Sequence, residues 1–468
     1  MKRLNLFIVN ETKKLISNHI LIPFCLVFLV LWIAALNVSM KEYSHETKTR
    51  AHFKSLHRKL WEDQFPKNPH MAAHFGTFAF KQANPLSIFD KGISNYSGTF
   101  IYLEAHRQND FLFSPAQNAS VFLRMGEFNI SFLLQFIIPL FILTIGAGMF
   151  SEEKERGIIA FIKANAVPVQ YIAYAKILVL TGLVSATVLL LALGSVFICF
   201  VNDIHWSFAD LSILVVLFSC YTLFYFTLSS LAVLISLKSK TYKTAFVTSC
   251  FVWIILFFLI PRLSINLANS WFPLPSNIAF REQVKKNIDQ GINGHARGDR
   301  EKHVIDSLLQ AHGVDSTHKL PVNIDGILLA QGEQYSSNIY TIHFQKLNQR
   351  LISQQQISQV AGLFDPFLPM RNLSMQLCKN NIQHEKDFRE QAEKYRNYFV
   401  NELNNNMTLY SKESEFNTYK VDSEVYRKIY DFNYQPPTSY QTLHGSLSDI
   451  MLLFIFMLCL QGYLLIQD

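Results

Sequence analysis

Charge is what this chain has least of. Only 16% of its 468 residues are Asp, Glu, Lys or Arg, against about 25% in ordinary soluble domains. The shortage is local: it falls in a few long apolar runs, and the remainder has the look of soluble protein. Other absences exclude whole classes. There is no zinc-finger spacing and no basic helix with base-reading residues, so the net charge of +7 implies no nucleic-acid partner. There is no phosphate-cradling G-x-x-x-x-G-K-[ST] loop, so this chain carries no ATPase site of that kind. Cysteine is sparse. Cys25, Cys199, Cys220, Cys250 and Cys459 lie inside apolar runs, and only Cys378 lies in a polar region, which rules out a disulfide framework. Internal repeats and low-complexity tracts are absent as well.

What is present is apolar sequence in span-length pieces. A helix needs roughly 20 mostly apolar residues to cross the hydrocarbon core, and in lipid it satisfies its own backbone polar groups. Six such runs occur, at 20–38, 130–150, 172–201, 208–237, 244–260 and 449–466. They predict an all-α polytopic membrane protein with the lipid bilayer as its first partner. The first run is too long for a cleaved signal peptide and reads as an anchor.

Lys and Arg concentrate in cytoplasmic loops close to the spans. Lys2, Arg3, Lys13 and Lys14 precede the first span, Lys154, Arg156 and Lys163 follow the second, and Lys238, Lys240 and Lys243 follow the fourth; "NDIHWS" between the third and fourth has none. Both termini are therefore expected in the cytoplasm. Two large segments, 39–129 and 261–448, are expected outside as mainly helical insertions. Residues 1–19 carry Leu4, Phe7, Ile8, Leu15 and Ile16 between polar positions, which suits an amphipathic helix along the inner interface. In the second insertion Tyr340, Phe344, Leu347 and Leu351 share one helical face, and Phe388, Ala392, Tyr395 and Phe399 share another. "GLFDPFLPM" breaks the pattern between them, which predicts an antiparallel helix pair.

The cytoplasmic loop at 151–171 is the most specific feature. "SEEKERG" is the densest run of charge in the chain, and it follows twenty uncharged residues, "SFLLQFIIPLFILTIGAGMF". A short apolar-rich helix is expected from Ile158 to Ala164, ended by Pro168. With Ile158, Ile159, Phe161 and Ile162 it has little reason to sit in water. The plainer reading is a turn made soluble by charge. The order of elements, however, resembles the cytoplasmic loop of ABC transporter permeases of the type-2 exporter class. There an E-E-x-x-x-G segment, a short helix and a Pro-containing exit follow the second span.

The resemblance falls on Glu152, Glu153, Arg156, Gly157, Phe161, Pro168 and Lys176, with Ile158 and Ile162 completing the helix face. It departs at Ile158 and Ile159, where the family loop has a Thr or Ser-Leu pair. It implies that the loop couples to cytosolic ABC ATPase subunits. It also implies a second permease, identical or related, and a place in the bacterial inner membrane. The stretches "AAHFGTFAFKQANPLSIFDKG", "YLEAHRQN", "PRLSINLANSWFPLPS", "DPFLPMRNLSMQL" and "HEKDFREQAEKYR" look like a bacterial subgroup of such permeases with large periplasmic insertions. A periplasmic partner protein for those insertions is a further expectation. On this reading the protein is not an enzyme and has no catalytic residues or cofactor.

Other constellations carry less. His45, His52, His57, His70 and His74 crowd the first insertion, but their spacing matches no compact motif, and no metal is expected. His74 and His106 are expected to be structural. Glu104, His106 and Asp110 lack a nucleophile and read as a hydrogen-bonded turn, as do Asp365 and Arg371. Ionisable residues inside the spans reduce to Asp449 and Lys176 at their edges, which argues against an ion-coupled carrier. Tyr221, Phe224, Tyr225 and Phe226 of the fourth span could line a route for a hydrophobic or peptidic substrate, though packing is the plainer use. The rival class is a membrane-anchored scaffold or sensor with ligand-binding outer domains.

Overall fold

The computed structural model describes residues 2–17, 21–112, 128–165, 168–292, 296–415 and 417–466. Several expectations therefore lie partly outside the described residues: the start of the first span at Ile20, 113–127 of the first insertion and 166–167 of the loop. The described chain is a helical membrane protein with one small sheet. Six helices are long and apolar enough to cross a membrane. They belong to α2 (Leu21–Glu62), α5 (Ile130–Glu155), α7 (Val169–Val201), α8 (Phe208–Lys238), α9 (Tyr242–Trp271) and α16 (Ser439–Leu465). A helix α1 (Lys2–Ile16) precedes them.

The helices α5 and α8 form the centre of the bundle. They pack closely because small residues face each other: a Cβ on Gly146 would lie 2.4 Å from the Cβ of Ala232. Below that contact the Ser236 hydroxyl donates to the Ala147 carbonyl (2.6 Å) and accepts from the Phe150 and Ser151 N–H groups (2.9 and 3.0 Å). Both α5 and α9 contain one widened turn, Leu133–Ile137 and Ile255–Leu259, just ahead of Pro139 and Pro261. Proline removes an N–H and crowds the preceding turn. The freed carbonyls find side chains: Tyr225 donates to Leu134 (3.1 Å) and the Trp253 indole to Phe136 (3.3 Å). Tyr221, Phe224 and Tyr225 are buried in this packing, which is the plainer of their two expected uses.

Several helices exceed the expected boundaries, among them α16, which begins at Ser439 and not at 449. The apolar run of the first span ends at Val38, yet α2 continues as one helix to Glu62. At 1.5 Å per residue its 42 residues extend about 63 Å, twice what a bilayer core needs. Likewise α9 runs on past Ile260 to Trp271.

The two insertions build one body. From the first come α3 (Pro69–Phe75), α4 (Ser94–Ser97) and an antiparallel sheet of β1 (Thr77–Phe80), β2 (Phe100–Leu103) and β3 (Phe111–Leu112). Thr77 lies opposite Leu103 and Phe80 opposite Phe100. From the second come α10 (Asn277–Gln290), α11 (Arg297–His312), α12 (Ile324–Ala361), α13 (Phe367–Leu377), α14 (Ile382–Tyr410) and α15 (Ser423–Lys428). The expected antiparallel pair is α12 with α14: Asn323 bonds Ser411 at one end, and Ser337 bonds Asn397 further in. Phe388, Ala392, Tyr395 and Phe399 are all buried, as their spacing predicts. They meet Trp61, Ala73, Ile101 and Leu103 of the first insertion in one core. Where this body meets the spans, the Asp90 carboxylate accepts from Ser374 and from Gln135 (3.3 Å). Burial pushes that carboxyl above its ordinary range.

Candidate functional site: the loop between the second and third spanning helices

The last turn of α5 distributes its charges among its neighbours. Glu153 is buried. Its Oε1 takes the ammonium groups of Lys14 (2.6 Å) and Lys176 (2.9 Å), and Lys176 reaches Glu11 of α1 at 2.7 Å. The Lys176 ammonium, fully buried, also lies 5.2 Å above the Phe150 ring. Lys154 donates to the Leu237 and Ser239 carbonyls, the unpaired C-terminal end of α8. Glu155 accepts from the Tyr242 N–H (3.0 Å) at the start of α9. Glu152 is half-buried beside Gly148, where a Cβ would lie 2.7 Å from its Oε1. One five-residue charged run thus clamps α1, α7, α8 and α9 to the end of α5.

Beyond it the chain turns. Arg156 is exposed, and Gly157 sits at φ 72°, the left-handed region that favours glycine. A Cβ there would meet nothing, so the requirement is conformational. The short helix α6 (Ile158–Ala164) follows, with the expected bounds. Pro168, extended at φ −60° and ψ 130°, then leads into α7. Helical spacing divides the apolar residues of α6 between two faces. Ile159 is buried and Ile162 packs against the bundle core. Ile158 and Phe161 point the other way, 41% and 72% exposed.

The expected site residues therefore separate into two roles. Glu153 and Pro168 hold the loop in place, with Ile162 beneath it; Arg156, Ile158 and Phe161 form its outer surface. Glu11 and Lys14 complete the ion cluster and were not singled out in the sequence. Their signal is an acid and a base one turn apart on an amphipathic helix. Glu11 sits on the buried side of α1, where an amphipathic pattern places apolar residues, because Lys176 receives it.

The other candidates settle simply. Asp365 accepts from the Phe367 N–H (2.9 Å) in a hydrogen-bonded turn just ahead of α13. All six cysteines are free thiols. Of the histidines in the first insertion, His70 and His74 come together, and His106 joins them.

Comparison with known families adds one finding. A family model described as a domain of unknown function (DUF3526) matches residues 277–435. The match begins at α10 and ends short of α16, so it covers the extramembrane part of the second insertion. No curated protein and no solved structure matches the chain.

Proposed function

We propose that this chain is the membrane-spanning permease subunit of an ATP-driven ABC transporter of the type-2 exporter class. It would pair with a second permease, identical or related, and with two cytosolic ATPases in the bacterial inner membrane. It would export or extract a hydrophobic or peptidic substrate. The reading rests on the resemblance of the loop from Glu152 to Lys176. One observation supports it most: a short helix with Ile158 and Phe161 bare to the outside sits on a base locked by buried ions. A solvated turn has no use for exposed apolar side chains on a rigid mount. A socket-fitting element needs both, because a push delivered to α6 must reach the spans without being lost in a soft joint. The Glu153–Lys176 pair makes that joint stiff, and Lys154 and Glu155 carry it on to α8 and α9.

The Lys and Arg bias beside the second and fourth spans supports a cytoplasmic position for the loop, and with it a periplasmic position for the joined insertions. The test is a pull-down from native membranes followed by one exposed substitution. The wild-type chain is expected to bring down an ABC ATPase. Phe161→Glu is expected to lose it with an unchanged thermal midpoint, because Phe161 contributes little to the folded bundle. A complex without any ATPase, or reporter tags placing Phe161 in the periplasm, overturns the transporter reading in favour of an anchored scaffold or sensor.

A further inference from the structure

The first and second insertions meet at three histidines. Asn68 caps α3 by accepting from the His70 N–H (2.8 Å), which starts a single helical stretch carrying His70 and His74 one turn apart. His106 arrives from the turn after β2, at φ 68°, a left-handed conformation uncommon for a residue other than glycine. The Ala105 N–H donates to the Ala73 carbonyl (3.2 Å) and straps that turn onto α3. The three imidazole rings form a near-equilateral triangle, with centroids 4.8, 4.9 and 4.8 Å apart. The ligand atoms all lie within 4.8 Å of one another. His70 and His106 oppose each other through their Nε2 atoms at 3.2 Å. Two nitrogens on one tetrahedral ion, each about 2.0–2.1 Å from it, stand about 3.3 Å apart.

The surroundings orient the rings. Nδ1 of His106 lies 2.5 Å from Glu333 Oε1, and the His106 backbone N–H donates to the same oxygen (2.7 Å). The other Glu333 oxygen pairs with the Arg396 guanidinium (3.1 Å). An ionised carboxylate only accepts, so His106 donates to it from Nδ1 and turns its Nε2 towards His70. Nδ1 of His70 lies 3.2 Å from Asn404 Oδ1, and its Nε2 faces that of His106. Carboxylate and carbonyl partners on the far nitrogens are the support that metal-bound histidines regularly have.

We propose that His70, His74 and His106 form a three-histidine site for a divalent transition-metal ion of the zinc class, with its fourth position open to solvent. Imidazole-only ligation suits zinc and copper and disfavours calcium and magnesium. His70 is buried, His74 half-buried and His106 exposed, so the site opens to the surface on the His106 side. His74 completes the set. All three ligands come from the first insertion, while Glu333 and Asn404 come from the second, so a bound ion would tie one insertion to the other.

The test uses the full chain in detergent, stripped with chelator and titrated with Zn2+. About one ion per chain is expected, with a raised thermal midpoint, and Co2+ should give the visible absorption of a tetrahedral centre. H74A removes a ligand from a half-buried position and should weaken binding at least tenfold while the apo midpoint stays put. H57A, a histidine of the same insertion outside the triangle, should bind as the wild type does. Absence of Zn2+ binding overturns the proposal, and so does binding that H74A leaves intact. The cluster is then a metal-free chain in which one ring donates to the next. The outcome does not depend on any ATPase.

Discussion

Two of the buried ion clusters among the described residues are balanced differently. At the loop end of the bundle, Glu11 and Glu153 face Lys14 and Lys176, two carboxylates against two ammonium groups. In the joined insertions, Arg396 stands alone between Glu333 and Glu393, with contacts of 3.1 and 2.9 Å. The first cluster is neutral within itself. The second carries an excess of negative charge and passes it to His106 through Glu333. A buried charge is tolerated when it is paired and fully hydrogen-bonded. The loop cluster meets the pairing part of that condition with its own side chains, through Glu153 Oε1, which suits a rigid mount. The insertion cluster meets it only with help from a histidine that has another nitrogen to offer, which suits a binding site.

The sharpest way to break the comparison is Arg396→Met. Arg396 is fully buried and also donates to Ser337, Asn397 and the Glu104 carbonyl. Its loss strands two carboxylates in the core that joins both insertions. The cost is expected at about 3–5 kcal/mol, the range for breaking one side of a buried pair. It should appear as a large drop in the thermal midpoint of the full chain and as amide exchange along 382–410. A change no larger than that of an exposed pair would mean that the cluster is wet and the contrast is false.

Lys176→Met should cost less, about 1–3 kcal/mol. Lys14 remains beside Glu153, and its side chain is 44% exposed, so water can assist it. The damage should be local: α1 loses its Glu11 anchor and frees itself from α7. Limited proteolysis between residues 2 and 17 should therefore accelerate well before the insertions respond. Equal loosening of both regions would contradict the self-contained balance assigned to the loop cluster.

How much of this was legible beforehand follows from what each element depends on. The spans were legible because lipid replaces a core, so their whole surface is apolar and continuous. The bounds of α6 were legible because Gly157 and Pro168 mark them locally. The pair of α12 and α14 was legible from one apolar face on each. The continuation of α2 to Glu62 was not: "KEYSHETKTRAHFKSLHRKLWE" has no uninterrupted apolar run, and only packing under β1 and against Tyr426 shows its use. Strands of four residues carry too little pattern to separate from loop. The ion clusters were out of reach for another reason. Lys176 lies 165 residues from Glu11, and Arg396 lies 63 from Glu333. No local spacing encodes such a meeting. The triangle of histidines was half visible, since His70 and His74 stand one helical turn apart, while His106 comes from a turn whose position depends on the sheet.

The smallest effect sets the scale for the other two. Arg297 and Glu301 pair at 2.7 Å along α11, with side chains 73% and 39% exposed. Their contact is as short as that of Lys176 with Glu11, 2.7 Å. If distance decided the worth of an ion pair, Arg297→Ala would match Lys176→Met. Solvent decides it instead: water already satisfies both exposed partners, and ordering two long side chains offsets most of the attraction. The expected loss is about 0.3–0.5 kcal/mol, and moderate salt should erase it. The buried clusters should hold in the same salt. Thermal midpoints of the three variants at low and high ionic strength therefore separate burial from geometry, and a parallel salt response in all three would remove the basis for calling either cluster buried.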